Sequence, residues 1–173
     1  MVSVGGKFLL IDGNSLAHRA FHALPPLSTK QGVFTNAVYG FTTMLFKALA
    51  LEKPDFVSVA FDKSKITFRH GDYEAYKGKR GATPDELRPQ FDLIKKVVHA
   101  LRIPFFEAEG YEADDLIGTL VSRAEKEGLE CVVVTGDRDA LQLVSPRTKV
   151  LITKKGISEF ELYDLAHVDS KYG

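Results

Sequence analysis

Three short apolar runs, each closed by an aspartate, constrain this chain more than any other feature. Phe8-Leu9-Leu10-Ile11 leads into Asp12, and Phe56-Val57-Ser58-Val59-Ala60-Phe61 leads into Asp62. Cys131-Val132-Val133-Val134 leads through Thr135-Gly136 into Asp137. A run that is apolar at nearly every position has no face to leave in water. It suits a strand covered by helices on both sides, as in a parallel sheet. Parallel strands send their carboxyl ends to one edge, where open α/β sheets build their sites. The three aspartates are therefore expected on one rim.

The segments between the runs are helical in pattern. Residues 36–51 place Ala37, Val38, Phe41, Leu45, Ala48 and Leu49 on one face. Residues 84–101 do the same with Leu87, Phe91, Ile94, Val97, Val98 and Leu101, and Pro84 falls near the first turn. Residues 112–127 carry Leu116, Ile117, Leu120, Val121 and Ala124, with Gly128 placed to end the helix. Residues 149–152 and 103–106 are weaker strand candidates, and residues 159–173 read as a helix ending at Gly173. Strands alternating with helices predict an α/β domain whose central, mostly parallel sheet is flanked by helices, spanning 1–173 as a single unit.

No apolar run approaches the roughly 20 residues needed to span a bilayer. Met1 to Lys7 lacks the layout of a signal peptide. Cys131 is the lone cysteine, so no disulfide framework exists and a reducing, cytoplasmic setting is expected. Net charge is zero, yet the distribution is uneven. Residues 63–80 hold six basic side chains (Lys63, Lys65, Arg69, Lys77, Lys79, Arg80) against two acidic ones, and residues 103–141 hold ten acidic against three basic. A basic stretch that departs from the sheet top and lacks an apolar period suits a polyanion partner, although solvated charge alone would also explain it.

Acids accumulate beyond the strand ends. Glu112, Asp114 and Asp115 open the helix of residues 112–127, and Asp139 stands two beyond Asp137. Any one of them could merely cap a helix. Seven together are harder to explain so, because two carboxylates about 4 Å apart repel by about 4 kcal/mol at an effective dielectric near 20. Cations would relieve that repulsion. All-oxygen donors select hard ions, Mg²⁺ or Mn²⁺, over zinc. The five histidines show no HExxH motif; His99, on an apolar helix face, reads as a core or boundary residue, and Cys131 reads as strand packing. Two such ions can activate a water and stabilise the leaving oxygen of a phosphodiester. No phosphate-cradling glycine loop follows a strand, which disfavours an NTPase or a dinucleotide enzyme. Tyr73 and Tyr76 lie among the basic residues 69–80, where rings can stack on unpaired bases.

Phe8-Leu9-Leu10-Ile11-Asp12-Gly13-Asn14-Ser15-Leu16, Phe61-Asp62, Phe68-Arg69-His70, Tyr76-Lys77-Gly78-Lys79-Arg80, Gly110-Tyr111-Glu112-Ala113-Asp114-Asp115 and Thr135-Gly136-Asp137-Arg138-Asp139 occur in this order. Together they closely resemble the N-terminal 5′-nuclease domain of bacterial DNA polymerase I, in the flap-endonuclease superfamily with its PIN-like core. The resemblance implies a PIN-like three-layer fold with a basic helical arch, and a metal-dependent 5′-3′ exonuclease or flap endonuclease acting in replication and repair. It implies two ions, Mg²⁺ or Mn²⁺. Asp12, Asp62, Glu112, Asp114 and Asp115 match the first metal cluster, and Asp137 and Asp139 match ligands shared with or nearer to the second. Lys77 and Arg80 match arch residues that bind the scissile phosphate, Tyr76 matches an aromatic that stacks on a base, and Arg19 and Arg69 match residues near substrate phosphates. The implied partner is DNA: 5′ flaps, nicked or branched duplex, and RNA primers. A monomer, normally fused to polymerase modules, is expected, stopping before the family's helix–hairpin–helix element. Three other readings stand beside this one: a PIN-like ribonuclease, a DNA-binding fragment without catalysis of its own, and a small-molecule phosphohydrolase.

Overall fold

The structure, a computed structural model, describes residues 5–63 and 83–173. Arg69, Tyr76, Lys77 and Arg80, with the expected arch, lie outside the described residues. Six strands form one sheet: β1 (Lys7–Asp12), β2 (Phe56–Ala60), β3 (Phe105–Phe106), β4 (Glu130–Thr135), β5 (Thr148–Thr153) and β6 (Phe160–Tyr163). Their order across the sheet is β3-β2-β1-β4-β5-β6. All neighbours are parallel except β5 and β6, which are antiparallel.

Alternation along the strands explains the three layers. Leu9 and Ile11 of β1, Val59 of β2 and Val132 and Val134 of β4 turn to one face. They pack there against α1 (Gly13–Ala23), α2 (Asn36–Glu52) and α3 (Arg88–Ala100). Leu10, Ala60, Cys131 and Val133 turn to the other face and meet α4 (Ala113–Lys126) through Ala113, Ile117, Val121 and Ala124. Successive strand residues point to opposite faces, so a continuous apolar run fills both cores at once. Cys131 is packing, as expected, and its burial pushes the thiol up to about 11.

Two helices match their sequence patterns closely. α2 runs one residue beyond the expected 51. α4 is followed by Gly128 at φ +83°, the left-handed residue that a helix end favours. Elsewhere the boundaries move. α3 begins at Arg88 with a proline in its first turn, and Pro84 instead opens a preceding turn whose carbonyl accepts from the Leu87 N–H at 3.0 Å. The expected helix over 159–173 is two elements. β6 pairs with β5, and α5 (Leu165–Tyr172) starts where the Asp164 carboxylate accepts from the His167 N–H at 2.8 Å. His99 lies exposed in the last turn of α3, so it is neither core nor boundary. Among the described residues no helix is long and apolar enough to cross a membrane.

Candidate functional site at the carboxyl edge

The strand order places the switch of connection between β1 and β4. The chain moves from β1 to β2 to β3 on one side, then returns to lay β4, β5 and β6 on the other. Crevices form outside the carboxyl ends of strands at such a point. Asp12 ends β1, Asp62 follows β2 and Asp137 follows β4, so three adjacent strands deliver three aspartates to one rim. A cleft of about 250 Å³ opens there, lined by Asp12, Asp114, Asp137 and Asp139 with Thr135 and Leu143 among its walls. A larger hollow of about 430 Å³ sits at the opposite, amino edge beside Lys7, Asp55 and Arg147. It gathers none of the predicted acids.

Several of the carboxylates accept from backbone N–H groups. Asp12 Oδ1 accepts from the Ser15 N–H at 3.2 Å, capping α1, and Asp12 Oδ2 accepts from the Thr135 hydroxyl at 2.8 Å. Asp62 Oδ1 accepts from the Ala113 N–H at 2.6 Å. Asp137 Oδ1 accepts from the Asp139 N–H at 2.9 Å, capping a 3₁₀ helix over Arg138–Leu143. Asp115 Oδ2 accepts from the Glu112 N–H at 3.1 Å and closes the first turn of α4. Capping does not exhaust these carboxylates. One N–H uses only one of the lone pairs on a carboxylate.

Asp12 carries the strongest electrostatic signature. It is buried, and that burial raises its carboxyl from 3.8 to about 7. The bonds from Thr135 and Ser15 oppose the shift, and the charges of Asp62 and Asp114 add to it. A carboxylate in this position gains from a neighbouring cation. The donor set is all oxygen, which fits a hard divalent ion. Among the described residues, no three acidic, histidine or cysteine side chains stand close enough as arranged to enclose one ion.

Other predicted residues are distributed as follows. Glu112 is buried at the start of α4, and Asp114 and Asp139 are exposed at the cleft. Asp115 is half-buried in the α4 cap and is not among the cleft's walls. Arg19 donates through Nε to the Gly156 carbonyl at 3.0 Å and through a terminal nitrogen to the Lys154 carbonyl at 2.7 Å. It thus braces the β5–β6 turn. Arg138 donates to the Tyr172 hydroxyl at 2.7 Å.

Sequence reasoning passed over three residues that fix the acids. Asn14 Oδ1 accepts from the Asp62 N–H at 2.9 Å, and Ser15 Oγ accepts from the Gly136 N–H at 2.8 Å. Thr135 bonds Asp12 and also accepts from the Asp137 N–H at 3.1 Å. The first turn of α1 thus reaches β2 on one side and β4 on the other. Gly13 allows this closeness, since a Cβ there would lie 2.4 Å from the Phe61 ring. No local signal marks these contacts, because Asn14 and Asp62 are 48 residues apart and Thr135 and Asp12 are 123 apart.

Comparison with known proteins fits the chain into this architecture. The model of the 5′-3′ exonuclease, N-terminal resolvase-like domain, matches residues 7–173. The chain belongs to that family. As a member of the 5′-3′ exonuclease family it is 56% identical over 167 residues to DNA polymerase I of Bacillus caldotenax, covering 96% of this chain and 19% of that protein. It spans only about a fifth of the length of such relatives. The T5 D15 protein co-crystallized with metal ions superposes with a TM-score of 0.71 at 19% identity, over 96% of this chain and 60% of that one. The bacteriophage T5 D15 flap endonuclease, in a pseudo-enzyme-product complex with DNA and metal ions, gives 0.68 at 20% identity, over 95% and 60%. Both superpositions show the same PIN-like fold.

Proposed function

We propose that the chain is the core of a divalent-metal-dependent 5′-3′ exonuclease or flap endonuclease that hydrolyses DNA phosphodiesters. The observation that carries this reading is that the adjacent parallel strands β2, β1 and β4 end at or beside Asp62, Asp12 and Asp137, with Asp12 and Asp137 lining one cleft, in a chain of the 5′-3′ exonuclease family.

Asp12, Asp62, Glu112, Asp114 and Asp115 would hold a first ion, and Asp137 and Asp139 would be shared with it or lie nearer a second, with Mg²⁺ or Mn²⁺ favoured by oxygen donors. When bound, such ions supply Lewis acidity to a phosphodiester. The chain's own residues do the rest. Asn14, Ser15 and Thr135 orient the acids through the bonds described above. Lys77 and Arg80 orient the scissile phosphate and offset its charge, Tyr76 stacks on a base, and Arg69 and Arg19 lie near flanking phosphates. The substrate is DNA with 5′ flaps, nicks or branches, including RNA primers. The chain works as a monomer in the cytoplasm, in a longer protein with polymerase modules and a helix–hairpin–helix element.

One observation favours a second reading, a DNA-binding fragment without catalysis of its own. Among the described residues, no three acidic, histidine or cysteine side chains stand close enough to hold one ion. The deciding experiment incubates the chain with a labelled 5′-flap duplex in Mg²⁺ or Mn²⁺. Cleavage near the branch supports the nuclease. Salt-dependent binding without cleavage supports the binding fragment. Cleavage of structured RNA in preference to DNA supports a ribonuclease.

A further inference from the structure

Thr135 is 1% exposed at the carboxyl end of β4. In register, Ile11 pairs with Val134, so Thr135 is the next residue along and stands beside Asp12 across the switch between β1 and β4. A valine would fill the same strand position with the same shape. A buried hydroxyl costs free energy unless it is hydrogen-bonded, so the oxygen of Thr135 calls for a polar explanation.

Its hydroxyl takes part in two hydrogen bonds. The Asp137 N–H donates to Thr135 Oγ1 at 3.1 Å, and Thr135 Oγ1 donates to the Asp12 carboxylate oxygen Oδ2 at 2.8 Å. One side chain thereby fixes the carboxylate of Asp12 and the backbone of Asp137, on opposite sides of the crevice. Ser58 on β2 offers a contrast. It is equally buried, yet among the described residues its hydroxyl has no hydrogen-bond partner.

We propose that Thr135 is a positioning residue that sets Asp12 and Asp137 relative to one another, so that both present oxygens to one divalent cation. The inference rests on the metal-dependent reading above and names the residue that sets its affinity. Groups that orient metal ligands typically cost roughly 10–100-fold in affinity when removed.

The test is a calorimetric Mn²⁺ titration of the full chain and of its T135V, T135S and S58A variants, with thermal melting as a check on folding. T135V is expected to bind Mn²⁺ roughly 10–100-fold more weakly. T135S, which keeps the hydroxyl, and S58A, which removes an idle one, are expected to bind like the unmodified chain. If T135V fails to fold, T135A removes the hydroxyl without a γ-methyl and gives the same comparison. Unchanged affinity in T135V, no rescue by T135S, or an equal loss in S58A overturns the proposal. An unmodified chain that takes up no Mn²⁺ overturns the metal reading itself, and this inference with it.

Discussion

Asp62 Oδ1 accepts a hydrogen bond of 2.6 Å from the backbone N–H of Ala113, joining the end of β2 to the first turn of α4. The aspartate therefore has a structural duty beside its proposed catalytic one. Asp62→Ala leaves an N–H at the helix start without that acceptor, which costs about 1 kcal/mol. Asp62→Asn keeps an acceptor and is expected to fold like the unmodified chain. Both variants should lose flap cleavage in Mg²⁺, because neither supplies a charge for a cation. Chemical denaturation and a cleavage assay on each variant separate the two duties. Full cleavage by either variant would contradict the assignment.

Asp12 makes stability depend on pH in a direction unusual for an acid. Its carboxyl is raised from 3.8 to about 7, chiefly by burial. Between those values the folded chain keeps a proton that the unfolded chain has released, so raising the pH favours unfolding. The contribution is whole below about pH 4 and is lost as pH climbs through about 7. The upper bound is on the order of 4 kcal/mol. In EDTA, the difference in stability between the unmodified chain and Asp12→Asn should shift against the unmodified chain from pH 4 to pH 8. Mn²⁺ at pH 8 should restore part of the loss. Parallel stability curves for the two proteins would count against the buried acid.

Arg19 spends two of its donors on the carbonyls of Lys154 and Gly156. Arg19→Ala is expected to cost about 1–2 kcal/mol and to speed amide exchange in residues 154–159. Arg19→Lys should not restore protection, because an ammonium lacks the planar fork that reaches two carbonyls. Exchange measured by mass spectrometry without DNA tests the bracing role apart from any contact with phosphate.

The strand ends were legible because burial on both faces writes itself as uninterrupted apolar runs, and because parallel pairing then fixes where Asp12, Asp62 and Asp137 must go. β6 was not. Phe160, Leu162, Leu165 and Val168 mix two periods within nine residues, and short apolar runs do not separate strand from helix. Asp164, as a cap, divides them. The proline signal was read at Pro84, whereas the helix took Pro89 in its first turn. Thr135, Asn14 and Ser15 were hidden for a different reason. Their side chains act across strands that are distant in sequence, such as the 123 residues between Thr135 and Asp12, and no local pattern records that.

Anomalous diffraction from crystals grown with Mn²⁺ addresses the central claim most directly. The account predicts manganese density in the cleft between Asp12, Asp114, Asp137 and Asp139, with a carboxylate oxygen of Asp12 bound to the ion. A cleft without manganese at saturating concentration, or manganese only at the amino edge beside Asp55 and Glu130, would contradict it.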